Sequence, residues 1–133
     1  RLGDERVKTA YAFQDLLKQN GMVANGSDFP VEFVNPIFGF HSAVARQDNH
    51  NFPEGGYQME NALTREQAMR AMTIWAAYAN FEEKERGSIE VGKMADFILT
   101  DKDLMQIPNE EMRGVKVLKT VVGGEQVYSI TSQ

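Results

Sequence analysis

The stretch MVANGSDFPV, residues 22–31, decides how the fold of this chain is interpreted. Residues 22–26 are short and mostly apolar, which predicts a brief buried strand that stops close to an acidic residue, Asp28. In a β/α barrel, catalytic groups stand where strands end, so Asp28 is a candidate metal ligand and proton shuttle. A Ser-Asp pair before proline is also typical of an ordinary turn or helix cap, and the pattern leaves both interpretations open.

Helical sequence lies on both sides of this stretch. Residues 4–20 predict one helix, with Asp4 as its N-terminal cap and Gly21 as a left-handed C-terminal cap. A helix, a glycine turn and a buried strand together form one step of a parallel sheet or a barrel. Downstream, Asn35-Pro36 predicts the start of a second helix that ends near Arg46. This helix is apolar on more than one side, so we expect it to be mostly buried.

Residues 47–61 are polar and rich in turn-forming residues, which predicts a long loop. Long loops in compact domains often bind ligands, and His50, Phe52 and Tyr57 are the candidate contacts here. A solvated connector is an equal alternative. The helix that follows begins with a capping box, TREQ at residues 64–67, and its apolar stripe through Trp75 predicts core packing.

From Gly87 onward the sequence changes to short β segments separated by glycine and aspartate. Residues 95–101 predict a strand that ends in an Asp turn, and residues 115–122 predict a second strand rich in β-branched side chains. Gly123-Gly124 then predicts a tight hairpin. We therefore divide the chain into a mainly helical part, residues 1–86, and a β segment, residues 87–133.

Composition limits the classes of function. The chain has 133 residues and is 42% hydrophobic, which is enough for one domain with a core. Its net charge of −5 argues against nucleic acid or an anionic membrane as partner, and no apolar run could span a bilayer. The absence of cysteine excludes disulfides and zinc–thiolate sites, and His41 and His50 are its only histidines. Cysteine usage leaves the compartment open, and we expect a cytoplasmic location. The small-molecule substrate that we expect for the parent protein rests on the resemblance given next and not on composition.

Several stretches resemble the C-terminal part of the amidohydrolase superfamily, in the branch called amidohydrolase 3. GSDFPV, residues 26–31, is similar to the family pattern at the end of the last barrel strand. TREQAMRAMTIWAAYANF, residues 64–81, is similar to the helix that follows it. GSIEVGKMADF, residues 87–97, with DKD at 101–103, is similar to the return to the β domain. The hairpin at residues 120–128 and Arg46 after Ala-Val-Ala fit the same branch.

This resemblance implies an α/β fold. Residues 1–86 would form the last β/α units of a metal-dependent hydrolase (TIM-like) barrel, and residues 87–133 would form part of a small β-sandwich. It implies hydrolysis of amide or cyclic amide C–N bonds by a water that a divalent metal, zinc above all, activates. Asp28 would bind the metal and carry the water's proton to the leaving nitrogen. Asp96 and Asp101 would be structural, and His41, Arg46 and His50 are candidate substrate contacts, although a packed helix residue is the plainer interpretation of His41.

The chain departs from the family in its metal ligands. The family's His-x-His pair and its further histidines lie upstream in the family pattern, and nothing here matches them. A barrel needs about 250 residues and a catalytic zinc about three protein ligands, whereas this chain has 133 residues and one candidate ligand. We expect an inactive fragment that binds no metal alone. The alternative is a non-catalytic binding or assembly module that retains the family tail.

Exposed barrel edges would also favour self-association of such a fragment. Light scattering that shows a monomer at high concentration would contradict this expectation.

Overall fold

Helices precede a small antiparallel sheet in the computed structural model, which describes residues 1–130. The helices are α1 (Gly3–Val7), α2 (Phe13–Asn20), α3 (Pro36–Ala45), α4 (Arg65–Met72) and α5 (Ile74–Ala79). Two 3₁₀ helices span Met59–Asn61 and Asn109–Gly114, and the strands are β1 (Phe97–Thr100), β2 (Val117–Val122) and β3 (Glu125–Ser129). The fold is therefore a small α/β arrangement with one three-stranded sheet among the described residues.

Helix α3 is the centre of the core, as its apolar sequence predicts. The side chain of Asn35 accepts a hydrogen bond from the Ile37 N–H at 3.1 Å, and Pro36 occupies the first turn, so the predicted start is confirmed. The helix packs against α4 and against the second 3₁₀ helix. The buried apolar cluster that results contains Ile37, Phe40, Ala43, Leu63, Ala68, Ala71, Leu104, Met112 and Val115.

The single helix predicted over residues 4–20 is wrong, because the chain breaks between α1 and α2. Tyr11 has a φ of 56°, and its carbonyl accepts from the Arg46 guanidinium at 3.4 Å. The Val7 carbonyl likewise accepts from the Gln58 side chain at 3.0 Å. Tertiary contacts thus outweigh the local helical preference. Asp4 lies inside the first turn of α1 rather than at its cap, whereas the left-handed cap at Gly21 is confirmed.

The helix predicted from Thr64 is present, in two pieces. Its capping box is confirmed, since the Thr64 hydroxyl accepts from the Gln67 N–H and the Gln67 side chain accepts from the Thr64 N–H. Thr73 interrupts the helix and donates its hydroxyl to the Met69 carbonyl at 2.7 Å. Gly87 then returns the chain against α5, where a Cβ atom would stand 2.8 Å from the Cβ of Ala77. The close approach and a φ of 91° both require glycine there.

The sheet confirms the predicted strands. Its order is β1-β2-β3, all antiparallel, and the β2–β3 hairpin turns at Gly123-Gly124. The carboxylate of Asp96 accepts from the Gly123 N–H at 2.7 Å, and that of Asp101 accepts from the Lys116 N–H at 2.8 Å. Both aspartates therefore stabilise strand connections, in agreement with the structural role expected for them.

The strand predicted at residues 22–26 is wrong. The segment has no strand neighbour in residues 1–130, and its Asn25 N–H donates instead to the Ala71 carbonyl at 2.9 Å. A strand requires an adjacent strand for its ladder, and here the three strands of the sheet pair only with each other. None of the helices described is long and apolar enough to cross a membrane.

Candidate functional site

Asp28 begins a tight turn on the surface. The Val31 N–H donates to the Asp28 carbonyl at 2.9 Å and closes the turn. Asp28 has a φ of 50°, a left-handed conformation that few residues other than glycine adopt, although aspartate tolerates it. Its side chain is exposed, and within residues 1–130 its carboxylate makes no hydrogen bond or ion pair. The turn therefore exposes a carboxylate that has no partner among the described residues.

A cleft of about 460 Å³ lies beside this turn. Ser27 lines the cleft immediately before the turn, and Glu32 and Phe33 line it immediately after the turn. The opposite wall is formed by α3 and by the loop that follows it, including Arg46 and Asp48. Pockets for small ligands are commonly about 300–1,000 Å³, so this cleft has the size of a small-molecule site next to Asp28.

Arg46 lines the cleft and stabilises its wall through hydrogen bonds to neighbouring segments. Its Nε donates to the Tyr57 carbonyl at 2.9 Å, and its two terminal nitrogens lie 3.4 Å from the Tyr11 carbonyl and the Gln58 amide oxygen. The guanidinium also lies 5.5 Å from the centroid of the Phe13 ring, a cation–π distance. Arg46 thus joins the α1–α2 connection to the loop after α3.

Asp48 shapes that loop. Its carboxylate accepts from the His50 N–H at 2.7 Å and from the Phe52 N–H at 3.0 Å. These hydrogen bonds lower the pKa of Asp48, the bond from Phe52 most, and the carboxylate is held ionised. His50 itself is exposed and lies outside the cleft lining. The role of Asp48 is therefore to set the loop that carries Phe52 at the cleft.

His41 lies in the core beneath the same loop, with 1% of its surface exposed. One guanidinium nitrogen of Arg113 is 3.2 Å from both Nδ1 and Nε2 of the imidazole. An in-plane atom equidistant from both nitrogens would collide with Cε1, so the guanidinium lies over the ring face. Arg113 also donates to the Asp48 carbonyl at 3.0 Å and to the Asn51 side chain at 2.7 Å. Burial, and then the charge of Arg113, lower the pKa of His41.

The structure brings only part of the predicted set together. Arg46 lines the cleft, and Asp28 lies in the turn beside it without lining it. His41 lies in the core, and His50 lies outside the cleft lining. Of the loop contacts predicted, Phe52 and Tyr57 do line the cleft.

The sequence did not indicate four aromatic residues that line the cleft together with Phe52 and Tyr57: Tyr11, Phe13, Phe33 and Phe38. It also did not indicate Arg113, which contacts His41 and the loop after α3. The signal for two of the aromatic residues was the density of phenylalanine between residues 29 and 40. Nothing local indicates Arg113, because it approaches from a 3₁₀ helix far along the chain.

The donor set of a metal site is incomplete in this chain. Within residues 1–130 no group of three or more histidine, cysteine, aspartate or glutamate side chains could hold a metal ion. Asp28 offers one carboxylate, whereas a catalytic zinc takes about three protein ligands. The described residues alone therefore do not fit a catalytic metal.

A larger groove of about 1,280 Å³ lies between α4–α5 and the sheet. Most of its lining is apolar, with Met69, Met72 and Val117 among the residues that form it. Neither Asp28 nor Arg46 contributes to it. We therefore place the candidate site at the smaller cleft, which is lined by Ser27 and Glu32 on either side of the turn that carries Asp28.

Comparison with known proteins gives one consistent result. A sequence model of the amidohydrolase family matches residues 1–128. The chain is 35% identical to the putative amidohydrolase YtcJ of Bacillus subtilis over 128 residues, which are 96% of this chain and 24% of that protein. It is 37% identical to the protein LONG AFTER FAR-RED 3 of Arabidopsis thaliana, covering 96% of this chain and 22% of that protein.

A third relative, the N-substituted formamide deformylase of Arthrobacter pascens, is 31% identical over 121 residues, which are 91% of this chain and 22% of that protein. The chain thus spans about a quarter of the length of the curated relatives that it matches. No solved structure matches it.

Proposed function

This chain belongs to the amidohydrolase family, and on that premise we propose that it is the part of a C–N bond hydrolase that carries the catalytic carboxylate, Asp28. One observation supports the proposal above the others. Asp28 is exposed, its carboxylate has no partner within residues 1–130, and it adopts an uncommon left-handed conformation on a turn whose flanking residues, Ser27 and Glu32, line a cleft. Residues held in such conformations cluster at active sites.

The chemistry that we assign to Asp28 is proton transfer. Hydrolysis of an amide adds water to the carbonyl carbon, breaks the C–N bond and places a proton on the leaving nitrogen. A carboxylate close to the attacking water accepts its proton and then donates it to the nitrogen. The divalent metal that the family implies, zinc above all, would activate the water, and Asp28 would be one of its ligands. The other ligands would come from outside these 133 residues.

The substrate that we propose is a small, non-peptide amide. One relative is named as a deformylase of N-substituted formamides, and the cleft beside Asp28 has the volume of a small-molecule site. Arg46 would act on the substrate indirectly, by holding the cleft wall, because each of its three guanidinium nitrogens already donates to Tyr57, Tyr11 or Gln58. We assign no substrate contact to His41, which is buried in the core.

The alternative is a non-catalytic binding or assembly module. The incomplete donor set among residues 1–130 favours it, as does a relative, LONG AFTER FAR-RED 3, whose name states no reaction. The two functions differ in what they require of Asp28. A hydrolase needs its carboxylate for turnover, whereas a binding module does not.

A chimera tests the catalytic proposal in a protein of full length. The segment of the Arthrobacter deformylase that aligns with this chain is replaced by this chain, and release of formate from an N-substituted formamide is followed. Asp28→Asn should lower kcat by about 10²–10⁴-fold, the usual contribution of a general acid–base group. The matched control is Asp15→Asn, an exposed aspartate on α2. Equal rates for the Asp28→Asn chimera and its parent would eliminate the catalytic role.

The isolated chain provides the complementary measurement. We expect no stoichiometric zinc or manganese in the purified 133-residue protein or in its Asp28→Ala variant, because one carboxylate is not a metal site. One metal ion bound per chain, and lost on substitution of Asp28, would show that a site assembles without further ligands from elsewhere. That result would overturn the proposal that the remaining ligands lie outside this chain.

A further inference from the structure

Six aromatic side chains surround the cleft beside Asp28: Tyr11, Phe13, Phe33, Phe38, Phe52 and Tyr57. Four of them are largely exposed, since Tyr11, Phe33, Phe52 and Tyr57 expose 73%, 57%, 69% and 47% of their surface. Apolar surface that is grouped in this way, rather than scattered, is typical of interaction surfaces, and ligand-binding grooves are one class of them. The cleft is therefore built for a ligand with an apolar part.

The arrangement of these rings favours an aromatic ligand. Phe33 and Phe38 meet edge to face, with centroids 5.5 Å apart and an interplanar angle of 89°. Tyr11 and Phe13 form a second pair of this type, 6.3 Å apart at 70°. A further ring can join such pairs at the same spacing and gain more than burial alone provides. A cleft of about 460 Å³ has room for one ring together with a small polar group.

The charges at the cleft disfavour an anionic ligand. The Arg46 guanidinium already donates to carbonyl and amide oxygens, and the Asp48 carboxylate already accepts two backbone N–H groups. Glu32 adds a carboxylate to the lining, which would repel an anion. An uncharged amide avoids that repulsion and requires no ionic partner.

We propose that this cleft binds the aromatic ring of a neutral amide substrate, with the amide group directed towards the turn at Asp28. The inference rests on the proposed hydrolase function and adds the class of substituent to it. The position of the turn supports this orientation, because Ser27 and Glu32, which flank the turn, both line the cleft. A ring held in the cleft would leave its attached polar group at that border.

Nuclear magnetic resonance titration of the ¹⁵N-labelled chain tests the proposal. N-phenylacetamide carries both ring and amide, and N-methylacetamide carries the amide alone. We expect saturable shifts of backbone signals in residues 25–33 and 46–57 with N-phenylacetamide, and at least about tenfold weaker binding of N-methylacetamide. Phe33→Ala and Phe52→Ala should each weaken binding about 2- to 10-fold, the range expected for one aromatic pair. Both side chains are mostly exposed, so the fold does not depend on them.

The matched control is Phe81→Ala, which removes a phenylalanine that is 93% exposed and outside the cleft. Equal shifts with the two amides, shifts confined to the groove between α4–α5 and the sheet, or equal weakening by Phe81→Ala would overturn the proposal. The titration needs neither metal nor turnover. If the chimera is inactive but the titration shows ring binding, the cleft inference still holds. If the chimera is active and depends on Asp28 but the titration shows no ring binding, only the cleft inference is overturned.

Discussion

Residues 22–31 and residues 96–129 both place an aspartate beside a short apolar segment, yet the two regions are stabilised in different ways. In the second region the strands pair with each other, and the carboxylates of Asp96 and Asp101 bind backbone N–H groups. In the first region the apolar segment has no strand neighbour within the described residues, and the carboxylate of Asp28 has no hydrogen-bond partner there. The difference teaches that a partner within reach decides whether an Asp turn is structural or remains available for chemistry.

The largest expected effect is a difference in unfolding free energy between a core phenylalanine and an exposed phenylalanine beside Asp28. Phe40 of α3 is fully buried, whereas Phe29, beside Asp28, is 64% exposed. Phe40→Ala should lower the free energy of unfolding by about 3–5 kcal/mol, because it removes core contacts and leaves a cavity. Phe29→Ala should change it by less than about 0.5 kcal/mol, as surface substitutions do. Urea denaturation measures both, and a comparable loss from Phe29→Ala would show that residues 22–31 contribute to the core.

A smaller effect compares the aspartates themselves. Asp96→Asn should cost about 1 kcal/mol, because a charge-assisted hydrogen bond to the Gly123 N–H becomes a neutral one. Asp28→Asn should change the free energy of unfolding by less than about 0.5 kcal/mol, since asparagine also tolerates the left-handed conformation. Thermal and urea unfolding of the two matched variants measure the contrast. If Asp28→Asn destabilises as much as Asp96→Asn, the carboxylate of Asp28 has a structural partner.

Local signals were sufficient for elements that local contacts complete. The cap at Asn35, the capping box at Thr64 and the glycine hairpin at residues 123–124 all involve neighbours within a few positions, and the structure confirms each. The break after α1 and the absence of a strand at residues 22–26 depend on groups that lie far along the sequence. Periodicity carries no information about such groups, so both predictions were wrong.

The candidate site was predictable to the same extent. Phe52 and Tyr57 could be named as cleft residues because they stand in a polar loop. Asp28 could be named from its motif, and its catalytic role stays a prediction. Tyr11 and Phe13 could not, because they reach the cleft only where the predicted helix breaks. The interpretation of Arg46 changes from a substrate contact to a residue that stabilises the cleft wall. The reason is similar, since its guanidinium donates to the carbonyls of Tyr57 and of the distant Tyr11.

A pH-dependent effect concerns the two histidines, one buried and one exposed. The pKa of His41 is lowered in the folded protein, by burial and then by the guanidinium of Arg113 over its ring. The unfolded chain therefore binds more protons than the folded one as the pH falls below about 6.5, the ordinary value for histidine. Stability contributed by neutral His41 is complete above that pH and declines below it, by at most about 1.4 kcal/mol per pH unit for one proton.

Urea denaturation at pH 7.5 and pH 5.5 measures this decline. His41→Leu should flatten the pH dependence of the unfolding free energy, whatever its effect on stability at pH 7.5, because it removes the titrating group and keeps an apolar side chain in the core. His50→Gln is the control and should leave the dependence as it is, since His50 is exposed in the loop. If His50→Gln flattens the dependence and His41→Leu does not, protonation of His41 beside Arg113 is not what lowers the unfolding free energy at low pH. The pH dependence would then come from a group other than His41.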